Sequence, residues 1–90
     1  MTARLAQRPA FKRAYKKLHP NQREAVHETI RAILSAPEDG EEKKGDLAGV
    51  RVFKFACIHQ TFLLAYTWDG VLCTLLSLGP HENFYRDLKR

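Results

Sequence analysis

"VRVFKFACIHQTFLLAYTWDGVLCTLLSLGP", residues 50–80, is where the hydrophobic period of this chain becomes two. In 50–57, Arg51, Phe53, Phe55 and Cys57 alternate with Val52, Lys54 and Ala56, the pattern of a strand with two distinct faces. The runs "TFLLAYTW" (61–68) and "VLCTLLSL" (71–78) flank Asp69-Gly70, the pair that a two-residue type I′ turn favours. That turn predicts a hairpin with Trp68 opposite Val71, Tyr66 opposite Cys73, Leu64 opposite Leu75 and Phe62 opposite Ser77. Both faces of the hairpin are apolar, so it belongs in the middle of a sheet.

Upstream, the period is helical. "ARLAQ" (3–7) offers a short first strand, and Pro9 suits the first position of a helix. Phe11, Ala14, Tyr15 and Leu18 then form one apolar stripe. Lys12, Arg13, Lys16 and Lys17 fall on the other side as like-charged i,i+4 pairs, which weaken a helix; they read either as a solvated face or as one that tracks phosphates. "LHPN" (18–21) interrupts this helix, and Asn21 with Glu24 resembles a capping box for a second one. The second helix carries Val26, Ile30, Ile33 and Leu34 on one face and stops before Pro37. Two helices so closely joined form a hairpin. Residues 37–49, "PEDGEEKKGDLAG", read as one long loop. The expected fold is therefore α+β: an N-terminal helical hairpin on a small, mainly antiparallel twisted sheet, with a short C-terminal helix over "HENFYRDLK" (81–89).

Ninety residues at 44% hydrophobic and 28% charged describe one ordinary globular domain over 1–90 rather than a disordered chain. No apolar run approaches the ~20 residues of a membrane span. The N-terminus has no apolar stretch of the kind a signal peptide needs, and a cytoplasmic protein is expected. The two cysteines, Cys57 and Cys73, lie inside strands as small buried hydrophobes and have no metal-ligand spacing. Neither a metal nor another cofactor is expected. A net charge of +5 on so short a chain points to an anionic partner.

The chemistry-bearing residues gather late. "LGPHENFYRDLKR" (78–90) crowds His81, Glu82, Asn83, Tyr85 and Arg86 just past a strand that Gly79-Pro80 stops. His81 and Tyr85 are one helical turn apart, so both can face one cleft. The bland alternative is a capped surface helix with Phe84 and Leu88 packed inward. Lys54 stands mid-strand among apolar neighbours, where a lysine seldom lacks a partner; it is either an edge charge or a cation for a phosphate. His19 and His27 read as turn and surface residues.

The order of elements resembles the RelE/ParE superfamily of bacterial toxins from type II toxin–antitoxin systems. The resemblance rests on "RPAFKRAYKKL" (8–18), "KKGDLAGVRVFKF" (43–55), "LLAY" (63–66) and the tail "LGPHENFYRDLKR". It implies a RelE-like fold, a cognate antitoxin as partner and no membrane association. The free toxin is then a monomer that becomes oligomeric with its antitoxin. RelE-like members cut messenger RNA, usually on the ribosome, while ParE-like members poison DNA gyrase without chemistry.

Cutting needs a base for the 2′-hydroxyl proton, an acid for the 5′ oxygen and cations for the phosphorane, and no metal. An imidazole suits the proton-transfer roles near neutral pH. By resemblance, His81 takes the place of the basic residue after the last strand, and His81 with Tyr85 matches the tail spacing of the YafQ-like branch. Lys54 matches one of the second-strand lysines, and Val52 stands where another would be. The third-strand arginine of many members is Leu63 here, and a YafQ-like His/Asp pair appears as Cys57 and Thr61. The expected catalytic set is then His81, Lys54, Tyr85 and Arg51. Lys43, Lys44, Arg86, Lys12 and Lys16 are expected to hold RNA, and His59 is a substitute candidate for the base. The alternatives are a ParE-like gyrase inhibitor and a degenerate toxin that acts only in a repressor complex.

Overall fold

The computed structural model describes residues 4–81 and residue 84. The elements run β1 (Arg4–Gln7), α1 (Pro9–Lys16), α2 (Pro20–Ser35), β2 (Glu41–Glu42), a 3-10 turn (Gly45–Leu47), β3 (Arg51–Cys57), β4 (Gln60–Trp68) and β5 (Leu72–Pro80). The strands form one sheet in the order β1-β5-β4-β3-β2. β1 lies parallel to β5, and every other pairing is antiparallel. This is the α+β architecture the periodicity predicts, with β4 at its centre and residues 62–66 all buried.

One face of the sheet is covered by the helices. Phe11 from α1 and Val26 and Ile33 from α2 meet Cys57, Phe62, Leu64, Tyr66, Cys73, Leu75 and Leu78 in the main core. Burial pushes the Cys73 thiol up to about 11, the behaviour of a packed hydrophobe rather than a nucleophile. The helical hairpin is pinned through Tyr15. Its ring stacks on His27 at 5.5 Å between centroids, and the Arg23 guanidinium lies 5.4 Å from the same ring. The Tyr15 hydroxyl also bonds His27 Nε2, so His27 is exposed yet engaged.

Three expectations are corrected. The second helix starts at Pro20, not after Asn21: Pro20 takes the first helical position and the His19 backbone N–H donates to Gln22 Oε1 at 2.9 Å. A proline already set at a helical φ, with no N–H to satisfy, starts the helix earlier than the Asn21/Glu24 pattern does. Residues 37–49 are not all loop, because Glu41 and Glu42 add the edge strand β2 beside Val52 and Arg51. Their charges suit a short, exposed edge.

The third correction is the β4–β5 register. Trp68 pairs with Cys73 and Tyr66 with Leu75; past a bulge, Leu64 pairs with Leu78 and Phe62 with Pro80. Asp69 is the reason at the tip. Its carboxylate accepts the N–H groups of Val71 and Leu72 at 2.8 and 2.6 Å, which holds a wider connection than a two-residue turn. The bulge then leaves Leu76 without a cross-strand partner and reverses the parity of β5. Cys73, Leu75 and Leu78 therefore all reach the helix side, while Leu76 turns to the other face.

That other face is smaller. Val52, Leu63 and Ala65 are covered by Phe84, which is 3% exposed. Phe84 thus packs inward, as the bland alternative for the tail has it, and Leu88 lies outside the described residues. His81 and Phe84 carry helical backbone; the remainder of the expected C-terminal helix also lies outside them. Among the described residues, no helix is long and apolar enough to cross a membrane.

Candidate functional site

The β3–β4 connection is the two-residue hairpin turn that the sequence suggested for Asp69-Gly70. Cys57 pairs with Gln60, and the residues between them, Ile58 and His59, have φ of 46° and 65°. Neither is a glycine or asparagine. A side chain in this left-handed region costs about 1–2 kcal/mol, and a β-branched residue such as Ile58 is an outlier there. Burial does not offset that strain, because Ile58 is 46% exposed and His59 is exposed as well.

At the same end of the sheet, Phe62 pairs with Pro80, so β5 releases the chain directly beside the start of β4. His81 follows at once. A cleft of about 430 Å³ opens there, lined among the described residues by His59, Gln60, Thr61, Pro80 and His81. The sheet brings together two imidazoles that are 22 residues apart in the chain, one on the turn and one at the strand exit.

Lys54 belongs to the face that leads into this cleft. Lys54 pairs with Leu63, Leu63 pairs with Gly79, and Ala56 pairs with Thr61 in the cleft lining. Two residues of strand separate the rows, about 7 Å. Lys54 is exposed at the margin of the patch that Phe84 covers. Its electrostatic neighbour is Glu41. The Lys43 ammonium, 2.9 Å from Glu41 Oε1, holds that carboxyl below its usual range, and the charge of Lys54 adds to the effect. Lys43 and Lys54 thus flank one exposed carboxylate at the sheet edge. Lys44 is exposed at the start of the 3-10 turn.

Arg51 does not join this group. It shares the helix-side parity of Phe53 and Phe55, opposite to Lys54, and its Nη1 donates to the carbonyls of Glu38 and Gly40 at 3.0 Å each. There it works with Tyr66, whose hydroxyl donates to the Pro37 carbonyl at 2.7 Å and accepts the Gly40 N–H at 3.0 Å. A Cβ on Gly40 would lie 2.4 Å from that hydroxyl, so the close approach requires glycine. Arg51 and Tyr66 therefore bolt residues 37–40 to the sheet ahead of Lys43 and Lys44. Lys12 and Lys16 lie on the exposed side of α1, in the helix layer and away from Lys54. Tyr85 and Arg86 lie outside the described residues.

The departures noted in the sequence acquire physical reasons. Leu63 is 2% exposed beneath Phe84, so its position is packed rather than open to a ligand. Cys57 faces the helices, with Sγ 3.9 Å from the Gln22 carbonyl, while Thr61 does line the cleft. Gln60 was missed entirely, since an exposed glutamine beside a strand carries no signal of its own. His59 carried a weak one: a histidine in a tight turn where asparagine or glycine is expected.

One protein-family model, that of the ParE-like toxin of type II bacterial toxin–antitoxin systems, matches residues 5–89. Among solved structures, a mutant E. coli toxin RelE in the free state superposes with a TM-score of 0.75 at 18% identity, over 98% of this chain and 90% of that one. The toxin of the intact E. coli RelBE toxin–antitoxin complex gives 0.73 at 18% identity, over 89% and 98%. A YoeB/ParE toxin from Agrobacterium tumefaciens gives 0.67 at 19%, over 87% and 98%. At such identity these likenesses show the fold, which is RelE-like. Among curated protein sequences none matches the chain significantly.

Proposed function

The chain belongs to the ParE-like toxins of type II bacterial toxin–antitoxin systems, and on that premise we propose that it stops translation by cutting messenger RNA at the cleft beside His81. One observation carries this reading: the exposed histidine after the last strand lines a cleft whose face continues to an exposed mid-sheet lysine. A proton-transfer group beside a cation is what phosphodiester transesterification demands.

The 2′-hydroxyl loses its proton as O2′ attacks phosphorus, and the 5′ oxygen leaves with a proton. The products are a 2′,3′-cyclic phosphate and a 5′-hydroxyl. His81 serves in the proton transfer. Lys54, exposed and on the same face, stabilises the charge that builds on the phosphorane. Tyr85 stacks on a base near His81, and Lys43, Lys44 and Arg86 hold the flanking backbone. Arg51 acts at a distance by fixing the loop that presents the two lysines, and Lys12 and Lys16 provide a second basic surface toward ribosomal RNA. The chain works in the cytoplasm, on ribosome-bound message.

An antitoxin keeps it silent. The RelB-bound structures of E. coli and Pyrococcus horikoshii toxins are of the same fold, and a net charge of +5 favours an acidic wrapping segment. The free toxin is monomeric and enters an oligomer with that partner.

A second reading has its own support. The matching family is described as ParE-like, and the Leu63 position is closed by Phe84. Both favour gyrase inhibition without chemistry. Expression followed by primer extension on a reporter message separates the two. Discrete cuts within translated codons support the nuclease; intact message with altered plasmid supercoiling supports the gyrase inhibitor. Co-expression of the neighbouring reading frame is expected to restore growth in either case.

A further inference from the structure

We propose that His59 is the second proton-transfer group of the cleft, working across it from His81; the inference rests on the ribonuclease reading above. Three observations converge on it. The first is position. His59 and His81 line the same cleft from different elements, the β3–β4 turn and the exit of β5. The β3–β4 turn, the start of β4 and the end of β5 meet there, and among the described lining residues these two histidines are the titratable groups. Gln60 and Thr61 are neutral hydrogen-bonding neighbours, and among the described residues Lys54 is a charged group on the sheet face that Thr61 shares.

The second observation is conformational. Both turn residues have positive φ, a backbone that glycine and asparagine adopt with less strain. Neither side chain is buried, so the fold gains no packing from having isoleucine and histidine there. A local rule broken without a packing gain is the pattern of a position kept for its side chain.

The third is chemical. In an in-line displacement the entering O2′ and the leaving O5′ lie on opposite sides of phosphorus. One imidazole on one wall serves one of them. The neutral imidazole takes the proton from O2′ as the O2′–P bond forms. The imidazolium opposite gives its proton to O5′ as the P–O5′ bond breaks. One ring ends protonated and the other neutral, and exchange with solvent restores both. No water, metal or redox partner is consumed.

The test is the pH dependence of single-turnover cleavage by purified protein on ribosomes carrying a defined message. Wild type should give a bell-shaped profile. His59→Asn removes the titrating ring and keeps a residue that tolerates the left-handed turn. It should lower the maximal rate by roughly 10²–10⁴-fold and erase one limb of the bell. His59→Gly, equally suited to that backbone, should do the same, and His81→Gln should erase the opposite limb. Ile58→Asn alters the turn without removing either ring and should keep both limbs. If His59→Asn cleaves at the wild-type rate, or loses the same limb as His81→Gln, the pairing is wrong while the nuclease reading stands. A wild-type protein that cuts no message under any condition overturns both.

Discussion

Gly40→Ala probes the joint that presents the basic loop. The added Cβ would lie 2.4 Å from the Tyr66 hydroxyl and 2.9 Å from Cε1 and Cζ of the same ring. Tyr66 is fully buried in the main core, so the ring cannot swing aside freely. Displacing it breaks the bonds to Pro37 and Gly40, each worth about 1 kcal/mol net and more when a buried group is left unpaired. Overpacking adds about 1–3 kcal/mol. Alanine also restricts the unfolded chain, which offsets about 0.4–1 kcal/mol. The balance is a loss of about 2–4 kcal/mol, to be read from urea denaturation followed by circular dichroism. Tyr66→Phe removes only the hydroxyl and should lose about 1–2 kcal/mol. The double variant should lose less than the sum, because removing the hydroxyl relieves the shortest contact. A Gly40→Ala protein within about 0.5 kcal/mol of wild type, or strictly additive losses, would refute this account of the joint.

Lys54→Ala should slow message cleavage by about 10²-fold or more, the scale for one preorganised charge donor, and should change folding stability by less than about 0.5 kcal/mol. Full activity in Lys54→Met would assign the lysine to packing. Ile58→Asn should raise stability by about 1 kcal/mol as strain in the turn is relieved; a drop in melting temperature would count against the strain. Tyr85→Phe should cleave nearly normally while Tyr85→Ala loses an amount equivalent to about 1–3 kcal/mol of stacking. Loss in both would make the phenol a proton donor or phosphate contact.

The sheet face of each β3 residue was legible because alternation needs only a period. Both helices were legible because their stripes are long and each is stopped by proline. The β4–β5 register was not, since it depends on where the Asp69 carboxylate finds its two N–H groups and on a bulge at Leu76. Both are decisions of the folded backbone. The edge strand β2 was missed because two glutamates have no strand pattern of their own; the exposed edge of β3 recruits them. In the site, Lys54 stood out by violating its neighbourhood and His81 by following a strand stop. That His59 faces the same cleft could not be read from the chain, because it follows from β4 being the shared neighbour of β3 and β5. The engagement of Arg51 with Glu38 and Gly40 was hidden for the same reason.

The central claim is that this protein cuts RNA through His81. It is tested most directly by purified wild type and His81→Gln on ribosomes programmed with a defined message, with the new ends identified chemically. The account predicts cuts within the codon being read, carrying 2′,3′-cyclic phosphate and 5′-hydroxyl ends, and their loss in His81→Gln at an unchanged melting temperature. The same cuts from His81→Gln, or an intact message beside inhibited gyrase supercoiling, would contradict it.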